Sequence, residues 1–139
     1  MQIALDLASP VLANPAAFAW VVRLCLAGVV TINRATLRAY RGQIPPLYRA
    51  GVRYRSEPPD RDTFADLWRT WKRGHGDCAH LACWRVAELR EAGEPASLRV
   101  TWRVTPTRRA FHVVVRRARG RKDDFEDPSR LLGMGGTAS

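Results

Sequence analysis

Hydrophobic positions along the 139-residue chain fall into two regimes. Through about residue 92 most recur at helical spacings, and from residue 97 onward they alternate or cluster as they do in strands. Residues 2–7 read as a short strand or a lead-in. Asn14-Pro15 is a helix start, with Asn as N-cap and Pro at the first helical position. The apolar run behind it predicts a helix over 16–41 that stops at Gly42. Gly28 and the β-branched Val29, Val30, Thr31 and Ile32 weaken its middle, which leaves one helix or two open. Its apolar surface is broad and calls for burial against the rest of the domain or a partner chain.

Ile44-Pro45-Pro46-Leu47 is a linker. Val52-Arg53-Tyr54-Arg55 alternates like a strand, and 56–60 is a loop. Residues 63–73 read as a helix with Phe64, Leu67, Trp68 and Trp71 on one face, broken by Gly74-His75-Gly76. From Cys78 to Ala92 the pattern is strongly helical, with Leu81, Ala82, Val86 and Leu89 recurring and Gly93 as the stop. Strand-like runs follow at 97–104, 111–117 and 125–127, the last two joined by a turn at Arg119-Gly120. Helices first and a small antiparallel sheet after them make α+β the expected class. The organisation is an N-terminal helical segment over 1–43, a main domain over 44–132 and a Gly-rich, flexible tail over 133–139.

Composition narrows the functional classes. The formal net charge is +10, and of 23 basic residues only Lys72 and Lys122 are lysines. Such a surface favours nucleic acid, acidic polymers or acidic protein partners. The arginines are scattered, no basic run is interleaved with stacking aromatics, and no zinc-finger, RRM or KH signature occurs, so nucleic-acid contact is not specific. The three cysteines, Cys25, Cys78 and Cys83, do not read as a disulfide framework. The N-terminus lacks a basic n-region and an A-x-A site, which argues against a signal peptide. The apolar run at 16–32 carries Arg23, so a buried or amphipathic helix is expected rather than a membrane span. The expected location is a reducing cytoplasm, or an assembly built there.

Chemistry concentrates at Gly76-Asp77-Cys78, His112 and Asp127. A cysteine acts as its thiolate, which the N-terminal end of a helix and a nearby imidazolium both favour. Cys78 falls in the first turn of the 78–92 helix, with Asp77 as N-cap, and its backbone N–H is placed to serve an oxyanion. His112 is the base, and Asp127 is the carboxylate that orients it. If Ala118 pairs with Arg121 around a two-residue turn, His112 and Asp127 sit directly opposite on one face of a hairpin. Cys25 and Cys83 read as core cysteines. His75, Cys78, His80 and Cys83 are four possible metal ligands, but structural zinc takes two distant pairs, and these lie within nine residues, most of them on one helix. No metal and no cofactor is therefore expected.

The text at 76–96, Phe111-His112-Val113-Val114-Val115 and Glu126-Asp127-Pro128-Ser129-Arg130 resembles the transglutaminase-like branch of the papain-like cysteine protease superfamily. The resemblance implies a papain-like core over 44–132, with Cys78 as nucleophile, His112 as base and Asp127 as orienting carboxylate. Two departures stand out: no upstream Gln or Asn offers a second oxyanion donor, and the substrate-binding domains of larger transglutaminases are missing. The 52–58 stretch, Trp68 and the Leu131-Leu132-Gly133-Met134 ending are also similar to small stand-alone proteins encoded among bacteriophage structural genes.

Two functions follow as expectations. The first is acyl transfer through a Cys78 thioester, a peptidase or amidase with water as acceptor or a transglutaminase with a lysine amine, acting on a protein or peptide substrate. The second is a non-catalytic phage virion or assembly protein that keeps the fold and binds neighbouring structural proteins.

Overall fold

The helix that opens with the candidate cysteine is apolar or small on nearly every side, so it has to lie in the middle of the molecule. The computed structural model, which describes residues 2–6, 14–57, 61–105, 108–119 and 122–135, places it there. This helix, α3 (Cys78–Glu91), buries Ala79 to Trp84, Val86, Ala87 and Leu89. One side of it (Ala79, Ala82, Cys83, Val86) meets α1 (Pro15–Ala39) and the sheet. The other (Leu81, Trp84) meets Leu47, Val52, Leu67 and Leu132 in a second core. Burying Leu, Val or Phe side chains contributes about 1.5–3 kcal/mol each, so both cores fix how α3 is seated.

In chain order the remaining elements are β1 (Gln2–Asp6), a 3₁₀ turn at Leu47–Arg49, β2 (Arg53–Tyr54), β3 (Arg61–Ala65), α2 (Leu67–Arg73), β4 (His75–Gly76), β5 (Ala96–Thr105), β6 (Arg108–Arg119), β7 (Lys122–Glu126) and α4 (Pro128–Leu131). The main sheet is antiparallel in the order β5-β6-β7; β1 pairs antiparallel with β3, and β2 pairs parallel with β4. The chain is thus of mixed α/β type.

α1 is a single helix through Gly28 and the β-branched run, because Val22, Leu26, Val29 and Val30 pack on α3 and tertiary contact outweighs the weak local propensity. Asn14 caps it as expected, its side chain accepting from the Ala16 and Ala17 N–H groups. At 25 residues, with mean hydropathy 1.8 over its most apolar 18-residue window, it is long and apolar enough to cross a membrane, and a third of that window is buried within the molecule.

Two expectations are corrected. The helix expected over 63–73 begins only at Leu67: residues 63–65 form part of β3, held by pairing with β1, and Asp66 caps α2. The β6–β7 register is also shifted. Arg119 pairs with Lys122 and Val115 with Glu126, so Ala118 faces Asp123 rather than Arg121. Residues 120–121 and 136–139, where the expected turn and the end of the tail fall, lie outside the described residues.

Candidate active site

The register shift moves every partner by two positions, and a two-residue offset preserves the face of the strand. Asp127 therefore stays on the His112 side, but as a diagonal neighbour beyond the end of β7. His112 Nε2 lies 2.9 Å from Asp127 Oδ2. A carboxylate only accepts, so Nε2 carries the hydrogen and, in the neutral ring, Nδ1 holds the basic lone pair.

Asp127 is held by its second task. Its Oδ1 accepts from the Ser129 and Arg130 N–H groups at 3.1 and 3.4 Å, which caps α4, and Pro128 occupies the first helical position. The Asp-Pro-Ser-Arg text is thus a helix start that turns one carboxylate oxygen toward the imidazole. Asp127→Ala is expected to cost about 1 kcal/mol through the lost cap, whereas Asp127→Asn retains that stability; thermal melts of the two variants check this.

β7 stops opposite Val115, so residues 111–114 of β6 have no strand on that side. α3 and α4 close the gap, each contacting β6 and one another. Here Cys78 Sγ sits 3.9 Å from the Phe111 carbonyl oxygen, a weak S–H···O contact to the residue just before His112. The structure thus hydrogen-bonds His112 to Asp127 and brings the Cys78 sulfur to the adjoining peptide group. Cys78 is half-buried, and the His112 and Asp127 side chains are 33% and 21% exposed, so the site is open to a substrate.

Gly76-Asp77-Cys78 has a steric and a polar cause. A Cβ on Gly76 would meet His80 Cβ and Thr70 Cγ2, each at 2.9 Å. Gly76→Ala is accordingly expected to destabilise by about 1–3 kcal/mol and to displace the thiol, read by urea unfolding together with the Cys78 alkylation rate. Asp77 accepts from the His80 N–H at 3.1 Å, while His80 Nδ1 accepts from the Asp77 N–H at 3.0 Å, a capping box with His in place of the usual Glu. His80 Nε2 faces the Thr63 carbonyl at 2.8 Å and so donates, and Arg73 donates to Nδ1 at 2.9 Å. Burial, reinforced by the Arg73 charge, pushes the His80 pKa down to about 4. Burial raises Asp77 to about 7 despite its backbone hydrogen bonds.

The possible ligands His75, Cys78, His80 and Cys83 do not form one cluster among the described residues. Cys83 is fully buried and turned to the Leu26 carbonyl at 3.7 Å. Among the described residues the one cluster with ligand geometry is Glu57, Asp77 and His80, and both His80 nitrogens there are already engaged by protein. Burial pushes the Cys25 and Cys83 thiols up, as befits core cysteines.

Tyr54 was not singled out by the sequence. It pairs with Gly76, two residues before Cys78, and its N–H donates to the Leu132 carbonyl at 2.9 Å. Its phenol pKa is raised, first by burial and then by the negative charges of Cys78, Asp77 and Asp127 around it. It therefore remains protonated beside the thiol end of α3. The only sequence signal was its place in the alternating 52–55 run, which marked a strand and not a site. No protein-family profile, curated protein or solved structure matches the chain.

Proposed function

We propose that this protein is a cysteine-dependent acyl-transfer enzyme built on a transglutaminase-like core. The observation that carries this reading is the 2.9 Å pair between His112 Nε2 and Asp127 Oδ2, which sets the base's tautomer one residue from the carbonyl that Cys78 touches. Nδ1 takes the Cys78 proton, and the sulfur adds to a peptide or amide carbonyl. The Cys78 N–H at the start of α3 and the Tyr54 hydroxyl are the two donors for the resulting oxyanion. Collapse releases the amine, which takes its proton from His112, and leaves a thioester. Water or a second amine, deprotonated by His112, then displaces the thiol. Hydrolysis is the favoured outcome, because an open site admits water.

The test is brief incubation with p-nitrophenyl acetate followed by intact-mass and peptide mapping. An acetyl thioester on Cys78 that clears in the wild type but persists in His112→Ala supports the enzyme. Equal acetylation of Cys25, or none at Cys78, overturns it. In the same assay Asp127→Asn, which retains the α4 cap, is expected to clear the thioester about 100-fold or more slowly, since an amide no longer imposes the required tautomer.

A second reading, the binding module of a virion or assembly, draws on one observation. α1 exposes Trp20 and Leu24, at 65% and 53%, on its outward side. The thioester experiment separates the two readings.

A further inference from the structure

A groove of about 570 Å³ runs between α1 and β5, away from the thiol. Arg90, which lines it, is twelve residues from Cys78 along α3, about 18 Å at the helical rise. Among the described residues that line it, four of ten are arginines (Arg23, Arg90, Arg99 and Arg116) and none is acidic. The second groove of the molecule, about 520 Å³ beside the C-terminal ends of α1 and α3, is different: its Arg38 and Arg85 are matched by Glu91 and Glu88. In the first groove Arg90 donates to the Ala96 carbonyl at 2.7 Å, and Arg99 lies over the Phe125 ring. Among the described residues neither these two nor Arg23 forms an ion pair with a carboxylate.

The backbone beside the groove is a strand edge. Among the described residues β5, ten residues long, is the edge strand of its sheet and pairs on one side only, with β6. The groove is lined by three consecutive β5 residues, Leu98, Arg99 and Val100. Side chains of consecutive strand residues point to opposite faces, so a groove that touches all three runs along the strand's edge rather than over one face. Leu98 and Val100, with Leu26 and Val30 of α1, give it an apolar floor. A long strand edge with unpaired backbone groups is a template for another extended chain. None of the described lining residues is aromatic, so they offer no platform on which nucleobases would stack.

We propose that this groove binds an extended acidic segment of a partner protein, which adds as a strand along β5 with its carboxylates on Arg23, Arg90 and Arg99 and alternate apolar side chains on the floor. The proposal stands independently of the thiol chemistry.

The experiment is fluorescence anisotropy on the full chain with a fluorescein-labelled Glu-Val-Glu-Val-Glu-Val-Glu peptide. The expected result is saturable binding, weakened about tenfold or more in the double variant Arg23→Glu/Arg99→Glu and in its milder form Arg23→Gln/Arg99→Gln, both verified as folded by circular dichroism. A peptide N-methylated at alternate amides is expected to lose binding in one of its two phases and retain it in the other, because only one set of amides faces β5. Absence of saturable binding, wild-type affinity in both double variants, or equal affinity for both N-methylated peptides overturns the proposal. So does a twelve-nucleotide oligothymidylate that binds more tightly and displaces the peptide.

Discussion

His112→Ala is expected to slow alkylation of Cys78 by iodoacetamide at pH 7 by about tenfold or more, to a rate no greater than that of Cys25. The reasoning is electrostatic. Only the thiolate reacts, and Cys78 stands at the first position of α3, where the positive end of the helix dipole favours its negative charge. Asp77, next in sequence, is held largely neutral by burial below about pH 7, so it withholds a charge that would oppose the thiolate. In the proposed mechanism His112, tied to Asp127, takes the thiol proton and so supplies the remaining stabilisation. Cys25 and Cys83 provide the internal reference, since burial pushes both thiols up. Rates at each cysteine, read by peptide mass spectrometry between pH 5.5 and 9, separate the contributions. A Cys78 rate indifferent to His112 at every pH would leave the helix end as the only activating feature and remove the base from the mechanism.

The second large effect lies beneath the site. His80→Ala is expected to cost about 3–5 kcal/mol, combining a cavity with buried polar groups left unsatisfied. The Thr63 carbonyl, the Asp77 N–H and the Arg73 guanidinium all lose their partner. The pH profile of this cluster is less obvious than its stability. His80 titrates near 6.5 unfolded and about 4 folded, so alone it contributes stability above pH 6.5 that is lost as pH falls toward 4. Asp77 titrates near 3.8 unfolded and about 7 folded, so alone it contributes stability at low pH that is lost as pH rises toward 7. Between about pH 4 and 6.5 the unfolded pair holds its one proton on His80 and the folded pair holds it on Asp77. The proton counts match, and the two slopes cancel.

Asp77→Asn exposes the cancellation while keeping a competent N-cap. Relative to wild type, its stability is expected to fall by about 1.4 kcal/mol per pH unit below 6.5, reaching about 3 kcal/mol near pH 4. Urea unfolding at several pH values, with Arg73, His75 and Glu57 present in both proteins, isolates the difference. Parallel wild-type and variant profiles would mean that Asp77 is ionised in the folded protein.

Local signals carried far in this chain. Asn14-Pro15, Gly93 and the Asp77 cap were legible because a cap is a short-range hydrogen-bonding problem solved within a few residues. The strands after Gly93 were legible because alternation reports directly on a half-buried face. The 63–65 segment was misread because its apolar spacing suits either structure, and the element that decides it, β1, lies some sixty residues away. The continuity of α1 through Gly28 likewise depends on α3, which local propensity does not see.

The candidate site divides along the same line. Residue type and order selected Cys78, His112 and Asp127, since a helix start, a strand histidine and an Asp-Pro start are each local features. That Asp127 would reach the imidazole despite a shifted register was decided by strand parity and by the cap of α4, which turns its carboxylate. Tyr54 came to Cys78 only through the parallel β2–β4 pairing. The arginine groove exists because α1 and the β5 edge, some seventy residues apart, lie side by side. Sequence determines what backbone neighbours can settle between themselves; which distant side chains share a charge, a proton or a cleft is settled by packing, because electrostatic and steric energies depend on distance in space and not along the chain.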